Sequence, residues 1–420
     1  DRTERRLRDK IALLPDGDYY YEDYLEFYNA GQLDPVLVRF KLTVSGDQLI
    51  ADFDGTNTQV PGVVNSSLAV AGAGVFVAVK STLDPGGAMN HGAFRPIELR
   101  APEGSVVDVR DDAPAGAHGE VRKRAVSVAL GALSQIIPDL VSGDLCGTSF
   151  PNAIGGMNNR SGRRYVYYEA PAGGNGGFFE SDGSSAFVNV DFGNLPSISN
   201  AEMIENSMPL LVERSEIRTD SGGAGKQRGG LGMLREVRLL DEEASYSVLS
   251  DRAVIPPYGI NGGGSAMPYK VSITRGREEI MFDTPGKVTG YPIRENDVVV
   301  MRSAGGGSYG DPLERDPALV CADIERGYVS PEQAEAQYGV ILNSSGELNL
   351  KMTSSCRKAL LAKRFHIPVR IDNALEYYTG NKGHRRLLTI ATEIAQTLGV
   401  VDDDMVEILG GNPAPLRAWI

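Results

Sequence analysis

The sequence predicts an α+β protein: a β-rich core with Gly-rich loops, flanking helices and a helical C-terminal segment. Three observations carry this. Short runs of β-branched and aromatic residues, bounded by Gly, Pro, Asn or Asp, dominate the middle of the chain. Small-residue apolar stretches of helical length precede them, and from Pro317 onward the pattern becomes helical and charged. The 420 residues include 50 Gly and 23 Pro, placed in short clusters between apolar runs, so the excess means turns and loops rather than a low-complexity tract.

Taken in order, Leu7, Ile11 and Leu14 recur among charges from Arg2 to Leu14, an amphipathic helix that LPDG stops. VLVRFKLTVSGDQLIADFDG holds two alternating runs joined by Ser45, Gly46 and Asp47, the pattern of a β-hairpin. LAVAGAGVFVAVKST, ending at Thr82, is a helix whose Ala and Gly permit close packing against a sheet. FRPIELRAPEGSVVDV reads as strand, turn, strand, and Arg124 to Ile137 as a buried helix ended by Pro138. Strands follow at YVYYEAPAG, SAFVNVDF, REVRLL, YSVLSDRA, YKVSITR and DVVVMRS. Helices are expected at ALVCADIERG, at SPEQAEAQYGV with Ser330 as cap and Pro331 at the first position, at Ser354 to Phe365 and at His384 to Leu398. VEILG and PLRAWI form a last strand pair. The expected division is an α/β segment over 1–140, a β-rich core over 141–315 and a mostly helical segment over 316–420.

A net charge of −13 speaks against a phosphate-backbone binder, so nucleic acid is not expected as a partner. No apolar run approaches membrane-spanning length. Cys146, Cys321 and Cys356 lie far apart without CxxC spacing, which suggests neither a disulfide framework nor a zinc site and fits a reducing cytoplasm. The opening DRTERRLRDK reads as the middle of a helix, so the chain is expected to begin inside a larger gene product.

The densest local signal is DSGGAGKQRGGLG. Backbone N–H groups at Gly222, Gly223 and Gly225, with Lys226 and Arg228, can cradle an anion; tight turns joining strands are the alternative. Gln227 follows Lys226 where a Walker A motif has Ser or Thr, so that motif fails. GINGGG and GGGSYG are similar loops, and GGNGGFFESDG adds Glu180 and Asp182, carboxylates that serve as base, metal ligand or turn cap. Asp54 leads into Gly55 and Thr56 at a strand end, a turn similar to those that bind phosphate in sugar-kinase-like ATPases, or a solvated turn. The four histidines, His91, His118, His366 and His384, show no HxH or HExxH spacing, so a complete metal site from this chain is not expected. No nucleophile elbow or dinucleotide fingerprint is present.

Together DFDGTNTQVPGVVN, MNHGAFRPIEL, AGGNGGFFESDG, MIENSMPLLVERSEIRTDSGGAGKQRGGLG, SDRAVIPPYGINGG and SAGGGSYGDPLERDPALVCADIERGYVSPEQAEAQYGV resemble, in that order, the C-terminal two-thirds of hydantoinase B/oxoprolinase subunits. The resemblance covers about residues 1–345, and DSGGAGKQRGGLG with GGGSYGDP is its most specific part. It implies a B-type subunit of an ATP-dependent complex whose hydantoinase A-like partner binds ATP and Mg, with a small third subunit expected beside the carboxylases. The implied reaction is hydrolysis of a cyclic amide of the hydantoin or 5-oxoproline type, with ketone carboxylation as alternative and a non-catalytic scaffold as a third reading. The family's metal site is built from His and Asp of an N-terminal region that this sequence lacks, so ligands for a divalent metal are expected outside this chain and its identity is unassigned. Within the family-like motifs, Asp182, His118 and His91 are the expected catalytic groups. Asp54, Asn90, Arg95 and Arg252 are expected to orient a small carbonyl substrate.

Overall fold

The structure, a computed structural model, describes residues 2–110, 112–187, 198–364, 366–368 and 385–420. The expected opening helix forms as α1 (Arg2–Ile11), with Leu7 and Ile11 buried. Strand β1 (Gly17–Leu25) follows, then a two-residue pair β2 (Tyr28–Asn29) and β3 (Gln32–Leu33). The expected hairpin is β4 (Val36–Ser45) and β5 (Gln48–Asp52), turned at Gly46 with φ +58°. Helix α2 (Leu68–Leu83) carries the chain to β6 (Ile97–Arg100), which pairs parallel to β5. These strands make a four-stranded sheet in the order β1-β4-β5-β6.

Only the first half of the expected pair in FRPIELRAPEGSVVDV is a strand. Ser105 to Asp108 turns on itself and contributes isolated bridges, because Pro102 and Gly104 (φ +79°) bend the chain. Helix α3 (His118–Ser134) starts a turn and a half before the expected Arg124, and nearly all of it is buried. The small residues of α2 face it: a Cβ at Gly74 would lie within 3.0 Å of the Arg122 carbonyl, and one at Gly72 would strike Leu99 of β6. Close approach of α2 to both helix and sheet therefore depends on missing side chains.

The second core is all β. A sheet ordered β13-β12-β15-β10-β9 contains β9 (Leu210–Ile217), β10 (Met233–Leu239), β12 (Lys270–Arg275), β13 (Glu278–Ile280) and β15 (Val298–Arg302). A second, ordered β14-β11-β7-β8, contains β7 (Asn152–Asn158), β8 (Arg163–Glu169), β11 (Glu243–Leu249) and β14 (Lys287–Arg294). Inward residues of both, such as Ile154, Tyr167, Tyr246, Val237, Ile273 and Met301, form one hydrophobic cluster. Of SAFVNVDF only Ser185 to Phe187 is described, as an isolated bridge from Phe187 to Gly173; the remainder lies outside the described residues. The short helix α4 (Ala201–Ser207) leads into β9.

Helices α5 (Pro317–Glu325), α6 (Pro331–Tyr338) and α7 (Leu350–Ala362) form as the capping residues dictate. Asp316 accepts from Ala318 N–H and Ser330 from Gln333 N–H, and Gly339 closes α6 at φ +60°. The helix expected over His384 to Leu398 is shorter. Arg385 to Ala391 is non-helical, α8 covers Thr392–Leu398, and His384 lies outside the described residues. Strands β16 (Met405–Gly410) and β17 (Asn412–Trp419) form the expected closing hairpin. This hairpin returns to the first sheet, where Trp419 packs edge-on against Tyr24 of β1 with ring centroids 4.8 Å apart.

Candidate functional site

The most concentrated polar constellation in the described structure is buried, and five separate segments build it. Asp23 on β1 accepts from Arg124 of α3 at 2.6 Å, from Arg252 at 2.9 Å and from Arg417 of β17. Arg124 also holds Asp251 at 2.6 Å, and Arg252 also holds Asp144. The side chains of Asp23, Arg124, Asp251 and Arg252 are fully inaccessible. Burial alone would raise the Asp23 carboxyl, but three guanidiniums outweigh it and hold the group ionised, well below the usual carboxylate range. Arg252, expected to orient substrate, is thus a bridge between sheet, helix and loop. It also sits at φ +59°, a left-handed backbone that this anchoring holds in place.

The four Gly-rich loops and the segment around Gly143 lie side by side and hydrogen-bond through their backbones. Gly143 N–H donates to Gly177, Gly177 to Gly307, and Gly307 back to Asp144. Gly306 donates to Gly230, Gly230 to Asn175, Gly223 to Gly306, and Gly264 to Ala224. A Cβ at Gly174, Gly176, Gly222, Gly229, Gly306 or Gly307 would come within 3.0 Å of a neighbouring backbone. These glycines are required by the closeness of the chains.

In that geometry DSGGAGKQRGGLG, the expected anion cradle, is packed among the other segments. The N–H groups of Gly223, Lys226, Gln227, Gly229 and Gly230 all donate to backbone carbonyls. A Cβ at Gly222 or Gly225 would strike backbone or Ser308, so both are packing positions. Arg228 is 4 % exposed and pairs with Asp323 at 3.4 Å, while the half-exposed Lys226 lies 3.8 Å from Glu314.

Asp182, expected to be catalytic, has both carboxylate oxygens bound. They accept from the two terminal nitrogens of Arg315 at 2.7 Å each, and one also accepts from Arg228 N–H at 2.7 Å. Burial works against the charged form, and the Arg315 hydrogen bonds outweigh it, so the carboxyl stays below its ordinary range. With Arg315 also on Asp323 at 2.8 Å, this clamp ties the glycine layer to α5. An acid so held is a poor proton shuttle.

The other expected groups are exposed and dispersed. Asn90 caps the short turn His91–Ala93 by accepting from Gly92 N–H, and its amide donates to Thr3 at 3.0 Å; Arg95 pairs with Glu4 at 3.0 Å. This patch therefore docks α1, with exposed His91 beside it. His118 is exposed at the first position of α3, its Nδ1 3.1 Å from the Ala115 carbonyl, and Asp54 is exposed just beyond β5. The structure brings Asn90, His91 and Arg95 together, whereas Arg252 lies in the buried cluster and the partly exposed Asp182 in a separate clamp with Arg315. Asp23, Asp144, Asp251 and Arg417 were not singled out by the sequence. The available signal was charge at positions where strand or helix periodicity demands a buried residue.

Among the described residues no three His, Cys, Asp or Glu side chains converge as a metal site, and no described helix is long and apolar enough to cross a membrane.

Comparison with known proteins agrees with this architecture. A protein of Pseudomonas sp. (strain NS671), provisionally described as the B-type component of a D-/L-hydantoinase, is 30% identical over 367 residues, 85% of this chain and 61% of its own length. The crystal structure of the ATP-dependent caprolactamase from Pseudomonas jessenii superposes with a TM-score of 0.78 at 26% identity, over 85% of this chain and 62% of that one. A nucleotide-free acetone carboxylase shares the fold, with a TM-score of 0.76 at 20% identity over 87% of this chain and 55% of that one. The chain thus spans about three-fifths of the length of these relatives or less. The sequence model of the Hydantoinase B/oxoprolinase family matches residues 1–312, and the chain belongs to that family.

Proposed function

We propose that this chain is the B-type portion of an ATP-dependent multi-subunit enzyme that opens a cyclic amide, of the hydantoin, 5-oxoproline or caprolactam kind. An A-type subunit would bind ATP and Mg. One observation supports amide opening above ketone carboxylation. The caprolactamase shares both fold and 26% of residues across most of the chain, whereas the acetone carboxylase, at 20%, shares the fold alone.

The chemistry has a clear logic. An amide carbonyl is a poor electrophile; transfer of the ATP γ-phosphoryl group to its oxygen makes the carbon electrophilic, water adds, the C–N bond breaks as the ring nitrogen leaves, and a second water releases phosphate from the resulting acyl phosphate. Proton transfer to the ring nitrogen must accompany opening. The exposed His118 and His91 are the groups of this chain proposed to serve it, with Asp54, Asn90 and Arg95 proposed to orient the substrate's polar edge. Asp182 and Arg252 are proposed to position the scaffold, each being bound on every side by partners within the chain. No step is assigned to a metal.

The test is direct. The complex assembled with its A-type partner is incubated with ATP and a hydantoin, 5-oxoproline or caprolactam, and in parallel with ATP, labelled bicarbonate and a ketone. ATP-dependent ring opening is the expected result. Acid-stable label from bicarbonate, with no lactam opened, would overturn the proposal.

A further inference from the structure

We propose that the first turn of α3 and residues 147–150 beside it form a subsite for the cis amide of a lactam, the ring N–H donating to Glu120 and the ring carbonyl accepting from Gly119 N–H. This rests on the amide-opening reading above and names the contacts to the amide itself. Glu120 is 2 % exposed, and its Oε1 accepts from Ser149 N–H at 3.0 Å, so the carboxyl group lies between the helix start and the loop. Its Oε2 is buried and has no hydrogen-bond partner, and Glu120 pairs with no cation among the described residues. A buried acceptor left without a donor is costly, and a ligand that brings an N–H removes that cost.

Open donors stand next to that acceptor. His118 N–H and Glu120 N–H donate to the Ala115 and Ala117 carbonyls, whereas Gly119 N–H, between them at the positive end of a 17-residue helix, has no acceptor among the described residues. The half-buried Ser149 adds a hydroxyl: its Oγ lies 3.6 Å from where a Cβ on Gly119 would stand, and it bonds to no described residue. The loop is fixed against the helix by its own backbone, with Gly147 and Phe150 at φ +63° and +51° and the Phe150 ring stacked on Tyr269 at 4.9 Å. An acceptor beside a donor is the complement of a lactam. A small ring forces its amide to be cis, which puts N–H and C=O on one edge, whereas the trans amides of a peptide chain point them apart. A ketone brings the carbonyl without the N–H, so the same subsite separates the two substrate classes. His118, the proposed proton donor to the ring nitrogen, opens the same helical turn.

Calorimetric titration of the complex assembled with its A-type partner compares caprolactam with cycloheptanone, a ring of equal size that keeps the carbonyl and has CH₂ in place of N–H. Wild type is expected to bind caprolactam at least about tenfold tighter, roughly 1.4 kcal/mol. Glu120→Gln conserves volume and the bond from Ser149 but turns a donor toward the ring N–H, so the two rings should come within about threefold of each other, with cycloheptanone bound as in wild type and the urea midpoint unmoved. If that variant folds poorly, Gly119→Pro, tolerated in a first helical turn, removes the N–H alone and should weaken both rings equally, by at least about threefold. Equal wild-type affinity for the two rings, an intact preference in Glu120→Gln, undiminished binding in Gly119→Pro, or no saturable caprolactam binding overturns the subsite. Because no turnover is needed, the two proposals fail separately. Caprolactam binding that depends on Glu120 without ATP-dependent ring opening supports the subsite and sinks the reaction, whereas ring opening with the preference intact in Glu120→Gln sinks the subsite alone.

Discussion

Replacing Asp23 with Asn removes one negative charge from the centre of the buried cluster while conserving its volume. Three guanidiniums then lose a carboxylate, although each keeps another: Arg124 keeps Asp251, Arg252 keeps Asp144 and Arg417 keeps Glu407. The new amide nitrogen is a donor facing donors, so the site is mismatched in hydrogen bonding as well as in charge. Breaking a buried ion pair costs about 3–5 kcal/mol; with the remaining carboxylates in place, the lower end, about 3 kcal/mol, is expected at pH 7. Trp419, the only tryptophan, is 3 % exposed against Tyr24, the neighbour of Asp23, so its fluorescence during urea unfolding reads this region. The pH dependence gives a second check. Asp23 is held below its unfolded value of about 3.9, so its stabilisation is complete above that pH and lost as pH falls toward the folded value. The gap between wild type and Asp23→Asn should therefore narrow by about 1 kcal/mol between pH 4 and pH 3. A loss below about 1 kcal/mol at pH 7, or a gap that does not change down to pH 3, would refute the idea that this charge organises the junction.

Gly306→Ala should destabilise the protein by more than about 3 kcal/mol or prevent folding, since the added methyl meets the Asn175 backbone; Gly276→Ala, at φ +62° in open space, should cost about 1 kcal/mol, and equal effects in urea titrations would contradict the packing account. Asp182→Asn should leave the Trp419 transition almost unmoved but raise protease sensitivity around α5 and α6. Its carboxyl is partly exposed and held low by Arg315, so the wild-type protection should likewise fade as pH falls below about 4. In the assembled complex His118→Gln should reduce ATP-dependent ring opening by about 100-fold with unchanged urea stability; full turnover would remove His118 from the proton-transfer role.

Elements with one apolar face were legible in the sequence because burial imposed a period: α1, the β4–β5 hairpin, α2 and the capped helices α5 and α6 lie where their patterns predict. Strand β1 was not, although Asp18 to Leu25 is almost wholly Tyr and acid. Its inner positions include Glu22 and Asp23, buried charges whose partners lie as far away as Arg386 and Arg417. Alternation fails as a signal when a strand buries acids, since the compensating cations are distant in sequence. The early start of α3 has the same origin. Glu120 and Lys123 are buried in its first two turns, so the apolar period begins only after the helix has started.

The glycine motifs identified the family correctly, yet their local physics was ambiguous. A loop whose N–H groups face solvent and a loop whose N–H groups meet another chain have the same composition; only the partner decides between an anion site and a packed layer. Here the partners are other Gly-rich segments, each incomplete without the rest. Gly143, Gly177 and Gly307 form a run of bonds, ending on Asp144, that no single segment of the sequence contains. The same interlocking explains why candidate residues inside those motifs, Asp182 and Arg228, turned out to bind each other's segments. A charge that enters a layer of bare backbone must be neutralised there, and Arg315, just before α5, and Asp323 on α5 do so. The exposed Asp54, His91 and His118 lie instead on turns beside β5, before β6 and at the start of α3, outside that layer's network of bonds.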